Sequence, residues 1–152
     1  MQYSTEILIE KPISEVLKKL NTIDNLKHWQ HGLVSTSHIS GIPNQLGAKI
    51  KLKYNFGRCK MEVLETVTKQ NLPSELHATY TTKGVRNIQE NYFKVTEDNA
   101  TLWISKNEFQ PTSLKMSLCL FFMPGAFKKQ TKTLMSNFKN YLEKGVSVHQ
   151  PN

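Results

Sequence analysis

Apolar and polar residues alternate with period two through most of the chain and switch to a helical period in two places. The longer helical stretch runs from Pro124 to Gly145. There Phe127, Thr131, Leu134, Phe138 and Tyr141 recur at steps of four, three, four and three, and Ala126, Met135 and Leu142 widen the same side. The opposite side holds Lys128, Lys129, Lys132, Lys139 and Lys144, and lysines near a C-terminus suit the negative end of a helix dipole. Pro124 and Gly125 mark the start and Gly145 the stop. Such a helix spans roughly 30 Å, about the diameter of a small domain, so it needs a partner surface of similar length. The shorter helical stretch follows Pro12. Ile13, Val16, Leu17 and Leu20 predict one short helix, and Ile23, Leu26 and Trp29, three apart behind Asn21 or Thr22, predict a second that Gly32 closes.

The rest reads as strands and turns. Tyr3, Thr5, Ile7 and Ile9 form the better buried side of an opening strand. Leu33 to Ile39 is a mostly polar strand, followed by the turn Gly41-Ile42-Pro43-Asn44. Ala48, Ile50, Leu52, Tyr54 and Phe56 then alternate with Lys49, Lys51, Lys53 and Asn55, a core face backed by a lysine ladder. Gly57 and Arg58 predict a tight turn into Cys59 to Thr68, with Cys59, Met61, Val63 and Val67 in one phase. Further strands are expected at Leu76 to Thr82, Arg86 to Thr96 and Thr101 to Gln110, separated by turns at Asn71-Leu72-Pro73-Ser74, Lys83-Gly84 and Glu97-Asp98-Asn99. Leu114 to Phe122 leads into the long helix and reads best as a last buried strand; its end, Leu120 to Met123, is alternatively the mouth of a pocket. Strands separated by short turns form an antiparallel meander.

The order is strand, two short helices, about six antiparallel strands and one long helix. With the residues Lys11-Pro12-Ile13-Ser14-Glu15-Val16, Leu26-Lys27-His28-Trp29, Gly47, Met123-Pro124-Gly125-Ala126-Phe127 and Phe138 to Glu143, it resembles the START-like (SRPBCC) superfamily, in particular its polyketide cyclase/dehydrase and lipid-transport branch. The resemblance covers nearly the whole chain. It implies an α+β helix-grip fold, a curved antiparallel sheet of about seven strands closed by the C-terminal helix around a cavity, and it implies a hydrophobic ligand in that cavity. One START-like domain is expected over residues 1–146, with a short tail at 147–152.

Composition narrows the setting. With 152 residues, 38% hydrophobic and 21% charged, the chain can bury a core without disulfides. Cys59 and Cys119 have no metal or redox spacing and are expected as buried free thiols of a reducing compartment. The alternating start does not look like a signal peptide, and the apolar run at 114–127 is too short to cross a bilayer, so a soluble cytoplasmic protein is expected. Twenty Lys and Arg against twelve Asp and Glu give +8, which serves solubility or favours acidic partners. The stripe Lys49, Lys51, Lys53 lacks the interleaved aromatics of a nucleic-acid surface, so no nucleic-acid partner is expected, whereas transient contact with an anionic membrane surface suits the charge. The oligomeric state is left open.

A sheet wrapped round one helix cannot pack flat against its full width, which leaves room for a mostly apolar pocket. The strand phases and the helix face nominate Tyr54, Phe56, Met61, Val63, Tyr80, Phe93, Trp103 and Phe109, with Phe127, Leu134, Phe138 and Tyr141, as its walls; each is equally suited to plain core. Period two allows two phases for 86–110. If Phe93 and Trp103 face inward, so do Asn87, Gln89, Asn91, Ser105 and Asn107, amides that would need water or a polar ligand group; the opposite phase buries Ile88, Tyr92, Leu102 and Ile104. In the first case Gln89 and Asn91 join the ligand-binding set. Glu65, Glu90, Glu108, His77 and Arg86 are the acid and base candidates, with Glu65 in phase with Met61 and Val63 or else reaching water from a strand end. No catalytic constellation, metal site or cofactor motif is expected; His28, His31 and His38 lack the partners of a metal site. Three functions stay open: carriage of a small hydrophobic molecule such as a lipid, polyketide-like or isoprenoid compound; a cyclase or dehydratase acting on such a molecule; and an Hsp90-activator-like partner module, which would have a filled interior and an exposed apolar patch.

Overall fold

β1 (Gln2–Ile9) turns Thr5 and Ile9 into the core and Gln2, Ser4, Glu6 and Leu8 to solvent, as its alternation requires. The computed structural model describes residues 1–57 and 59–149; Arg58, expected in the turn after Gly57, and residues 150–152 of the expected tail lie outside the described residues. Pro12 ends β1 and α1 (Ile13–Asn21) follows. The second expected helix is a 3₁₀ turn (Ile23–Asn25) running into the single-turn α2 (Leu26–Trp29). Six strands come next: β2 (Leu33–Ser40), β3 (Lys49–Asn55), β4 (Lys60–Asn71), β5 (Glu75–Thr82), β6 (Val85–Val95) and β7 (Thr101–Pro111). α3 (Leu114–Phe122) and α4 (Pro124–Lys144) complete the order.

The seven strands form one antiparallel sheet in the order β1-β7-β6-β5-β4-β3-β2. β2 to β7 are a meander, and β1 closes it from the far side by pairing with β7, Gln2 opposite Glu108 and Ile9 opposite Thr101. β2 is the other edge. Two register shifts bend it, a feature that discourages pairing with another chain, and apart from Leu33, Val34 and Ile39 its residues are polar.

Leu114–Phe122 is a helix, not a buried strand. Ser113 caps it by accepting from the Met116 amide at 3.2 Å, and leucine, methionine and lysine favour helix. β7 already has β6 on one side and β1 on the other, so no edge is free beside it for another strand. Pro124, at the first position of α4, then starts a new helix. Gly145 ends α4 in the left-handed conformation (φ 69°), and its amide returns to the Tyr141 carbonyl at 3.0 Å, the cap that glycine accepts without strain. Beyond it the chain turns back on α2, with the Val148 amide on the His28 carbonyl at 2.9 Å. The cysteine expectation also changes: both are free thiols, but Cys59 is exposed and Cys119 half-buried on α3.

α4 lies along β1. The Tyr3 hydroxyl donates to the Phe127 carbonyl at 3.0 Å and lies 2.6 Å from Thr131 Oγ1, and Thr5 Oγ1 donates to Met135 Sδ at 3.1 Å. Farther along, Lys139 Nζ donates to the Leu8 carbonyl and to Glu143 Oε2, which also accepts the Glu10 amide at 2.8 Å. The core gathers at the C-terminal half of α4, where Met135 and Phe138 meet Ile9, Val16, Leu26, Trp29, Phe93 and Trp103. Phe138 has no exposed surface and stands edge-on to the rings of Trp29 (5.0 Å) and Trp103 (5.5 Å). Side chains of this size contribute about 1.5–3 kcal/mol each on full burial.

Candidate functional site

The inward face of the sheet changes character along α4. At one end the row Ile7, Trp103, Phe93 is large and apolar. Moving toward the other end, the rows become Thr5, Ser105, Asn91, Leu76; then Tyr3, Asn107, Gln89, Ala78, Val67; then Phe109, Asn87, Tyr80, Glu65, Ile50. Away from β1, whose Tyr3 and Thr5 meet α4, the middle rows carry mostly short side chains. The space they leave is a cavity of about 1250 Å³ between the sheet, α2 and the N-terminal half of α4, at the large end for small-molecule sites. Exposed residues such as Lys60, Lys83, Lys129 and Gln130 are among its walls, so it opens to solvent.

The nominated walls divide between cavity and core. Tyr54, Phe56, Met61, Val63, Tyr80, Gln89, Asn91, Trp103, Phe127 and Leu134 line the cavity, as does Phe109. Phe93, Phe138 and Tyr141 do not. Phe93 and Phe138 are sealed in the core beside it, with the Phe93 ring stacked on Trp103 at 6.1 Å. Tyr141 faces α2, stacked on His28 at 5.1 Å and donating to Asn25 Oδ1 at 3.1 Å. The two short helices do more than brace the sheet: Leu20, Ile23, Leu26, Trp29 and Gln30 are cavity walls. Gln30 sits outside the periodic part of its helix, so nothing in the pattern marks it. Ala78 was visible as the smallest residue in its phase.

The phase of 86–110 left open by the sequence is the polar one. Asn87, Asn91, Ser105 and Asn107 are buried, and the amides satisfy one another instead of waiting for water or a ligand. Trp103 Nε1 donates to Asn91 Oδ1 (2.9 Å), Asn91 Nδ2 to Gln89 Oε1 (3.0 Å), Gln89 Nε2 to Asn107 Oδ1 (3.1 Å) and Asn107 Nδ2 to Ser105 Oγ (3.0 Å). Asn87 Nδ2 also donates to Asn107 Oδ1 at 3.1 Å. A buried network with its donors and acceptors matched fixes the register of β6 on β7 and gives the cavity a stiff polar floor. Trp29 Nε1, by contrast, is buried without a partner.

Glu65 points inward. It pairs with Tyr80 across β4 and β5, and both are enclosed by protein while still facing the cavity. Burial pushes the Glu65 carboxyl up from its ordinary value, with the Tyr80 hydroxyl working against that shift. Burial and the neighbouring Glu65 charge hold the Tyr80 hydroxyl well above its ordinary range, and the same two causes raise Tyr54. The Tyr54 hydroxyl donates to Gln30 Oε1. Glu65, Tyr80, Tyr54 and Gln30 thus form a second polar group beside the amide floor, in a space that is otherwise largely apolar.

The other acid and base candidates lie elsewhere. Glu90, His77 and Arg86 alternate with the cavity-facing residues of their strands; Glu90 Oε2 accepts from the Tyr92 hydroxyl at 2.6 Å, and the His77 ring meets Tyr92 at 5.1 Å. Glu108 accepts from Gln110 Nε2 at 3.4 Å. Among the described residues His28, His31 and His38 join no cluster of three metal-ligating side chains; His28 Nδ1 is 2.8 Å from Ser147 Oγ. No helix of the described residues is long and apolar enough to cross a membrane.

Solved structures share this arrangement. TTHA0849 from Thermus thermophilus superposes with a TM-score of 0.76 at 12% identity, covering 97% of this chain and 100% of that one. Ara h 8.0201 gives 0.73 at 8% identity, covering 93% and 97%. DynU16 of the dynemicin biosynthetic locus gives 0.71 at 14% identity, covering 98% of this chain and 49% of that one. The chain has the START-like, SRPBCC-type helix-grip fold. No protein-family model matches the sequence, and no curated protein matches it. At these identities the likeness is one of fold. The cavity of this chain lies between the sheet and the C-terminal helix of that fold.

Proposed function

We propose that the protein binds and carries a small hydrophobic molecule of the lipid, polyketide or isoprenoid kind in the cavity beneath α4. One observation carries this reading: an open, mostly apolar space of about 1250 Å³ whose wall holds a carboxyl and phenol cluster, Glu65, Tyr80 and Tyr54, beside the amide floor of β6. Apolar walls supply affinity, and a few placed polar groups fix orientation. The cargo is therefore an apolar body with one oxygen-bearing end, held by the Glu65 carboxyl and the tyrosine hydroxyls. Transient contact with an anionic membrane surface belongs to the same reading, since such a cargo has to enter and leave the aqueous phase. Eleven of the fourteen residues nominated from the sequence, those found in the cavity walls, are its proposed contacts, within a proposed single domain over residues 1–146.

Native mass spectrometry of detergent-free protein, followed by extraction, tests this. A stoichiometric adduct released on denaturation is the expected result. A bare mass together with no binding of an apolar fluorescent probe, anilinonaphthalene sulfonate, would overturn it.

The second reading is catalysis on the same molecule, favoured by the raised Glu65 carboxyl beside Tyr80, because burial that disfavours ionisation suits a carboxyl to general-acid work. Under it, Glu65→Gln abolishes turnover of a bound polyketide-like substrate and leaves binding intact; unchanged turnover would sink it. The partner-module reading expects a filled interior, and the cavity counts against it.

A further inference from the structure

α3 carries two apolar stripes, and only one is covered. Met116, Cys119 and Leu120, at helical spacing, face protein: Leu120 is buried, the other two are half-buried, and Met116 reaches the cavity wall. Leu114, Leu118, Phe121 and Phe122 share another side and are 79%, 51%, 76% and 74% exposed, with Met123 beyond them at 56%. Single apolar side chains on a surface are ordinary. Five gathered on one nine-residue helix and its C-cap mark a face that meets something.

Charge says what. From Phe109 to Leu142 the chain has five lysines, Lys115, Lys128, Lys129, Lys132 and Lys139, and no Asp, Glu or Arg. A second copy of this face would bring the same lysines against these, a juxtaposition that opposes self-association. Protein interfaces concentrate energy in arginine, tryptophan and tyrosine, none of which occurs on α3 or the first turns of α4. Phenylalanine, leucine and methionine that protrude, flanked by lysine point charges on flexible stems, are what the interface of an anionic bilayer accepts without a preformed groove.

We propose that α3 is a docking helix for an anionic bilayer. Its Leu114, Leu118, Phe121 and Phe122 stripe enters the headgroup boundary, and Lys115 with the lysines of early α4 engages lipid phosphates. The position gives docking a consequence. Ser113 begins α3 against the β5–β6 turn, where a Cβ on Gly84 would meet its Oγ at 3.0 Å, and Met116, Ala126 and Phe127 are cavity walls on either side of the α3–α4 junction. A membrane holding α3 therefore lies against the cavity opening. This deepens the carrier reading, naming the surface at which cargo is exchanged, while the docking itself stands on α3 alone.

Co-flotation of the intact protein with vesicles tests it, comparing phosphatidylcholine alone with phosphatidylcholine containing about one-third phosphatidylglycerol. Binding to the anionic vesicles is expected, weakened by salt, and reduced about tenfold or more by Phe121→Ser with Phe122→Ser, whose exposed positions leave the thermal melt unchanged. Lys115→Glu with Lys128→Glu gives a similar loss by the electrostatic route. Ala78→Leu, which fills the cavity, is expected to bind vesicles as wild type does, so failure of the cargo reading leaves this result standing. No binding to anionic vesicles, binding indifferent to both pairs of substitutions, or a concentration-dependent dimer that Phe121→Ser dissolves would each overturn the proposal.

Discussion

The two halves of α4 meet the same sheet with opposite results. The C-terminal half is sealed: Met135 and Phe138 have almost no exposed surface, and tryptophans from α2 and β7 close over Phe138. The N-terminal half meets only the β1–β7 side, through Tyr3 and Phe109 against Phe127, and leaves the cavity open over β4 to β6, where Ala78, Val67, Asn87 and Gln89 are among the walls. Helix and sheet run continuously through both halves, so side-chain size in the facing rows decides where the fold is core and where it is container. Stability and binding should then separate along one helix.

The sharpest way to break that contrast is Phe138→Ala in the sealed half. A loss of about 3–5 kcal/mol by urea denaturation is expected, as for other buried aromatic truncations. Asn91→Leu comes next. It keeps the volume but strands the Trp103 indole N–H and the Gln89 carbonyl, and about 2 kcal/mol is the expected loss on the same measurement. Ala78→Leu inverts the pattern: less than about 1 kcal/mol in stability, since the new side chain enters empty space, with probe binding in the cavity down tenfold or more.

The smallest effect is a slope. Glu65 has its carboxyl raised in the folded protein. At low pH it is protonated in both states and contributes nothing; as pH rises past its ordinary value of 4.5 the unfolded chain ionises first, so stability falls until the folded carboxyl ionises too. Glu65→Gln removes that loss, and its stability relative to wild type should climb with pH across this window. A pH-independent difference between the two would show that burial does not raise the carboxyl.

The element order as far as β7 and the apolar face of α4 were legible from the chain because they rest on periodicity, although Phe93 and Phe138 were nominated as cavity walls and lie in the sealed half. The steps of Phe127 to Tyr141 and the alternation of Ala48 to Phe56 depend only on which face is apolar. The container was harder to read. Nothing in a period-two pattern distinguishes a phenylalanine under the helix, such as Phe93, from one beside the gap, such as Phe109; that depends on how far the helix stands off. The amides of β6 and β7 fit either phase until one sees that Asn91, Gln89 and Asn107 are spaced to satisfy each other across the strands. α3 was misread as a strand because an apolar run suits either state, and what decided it was the Ser113 cap together with the pairing of β7 on both sides by β6 and β1.

That pairing also bears on the order of assembly. The hairpins from β2 to β7 join neighbours in sequence, but β1 waits for a strand about a hundred residues later, and α4 then lies along β1. During synthesis the first strand is left without its partner until β7 emerges, and the helix that roofs the cavity comes later still. The cavity is therefore complete only once α4 has emerged, and nothing can be enclosed in it before then.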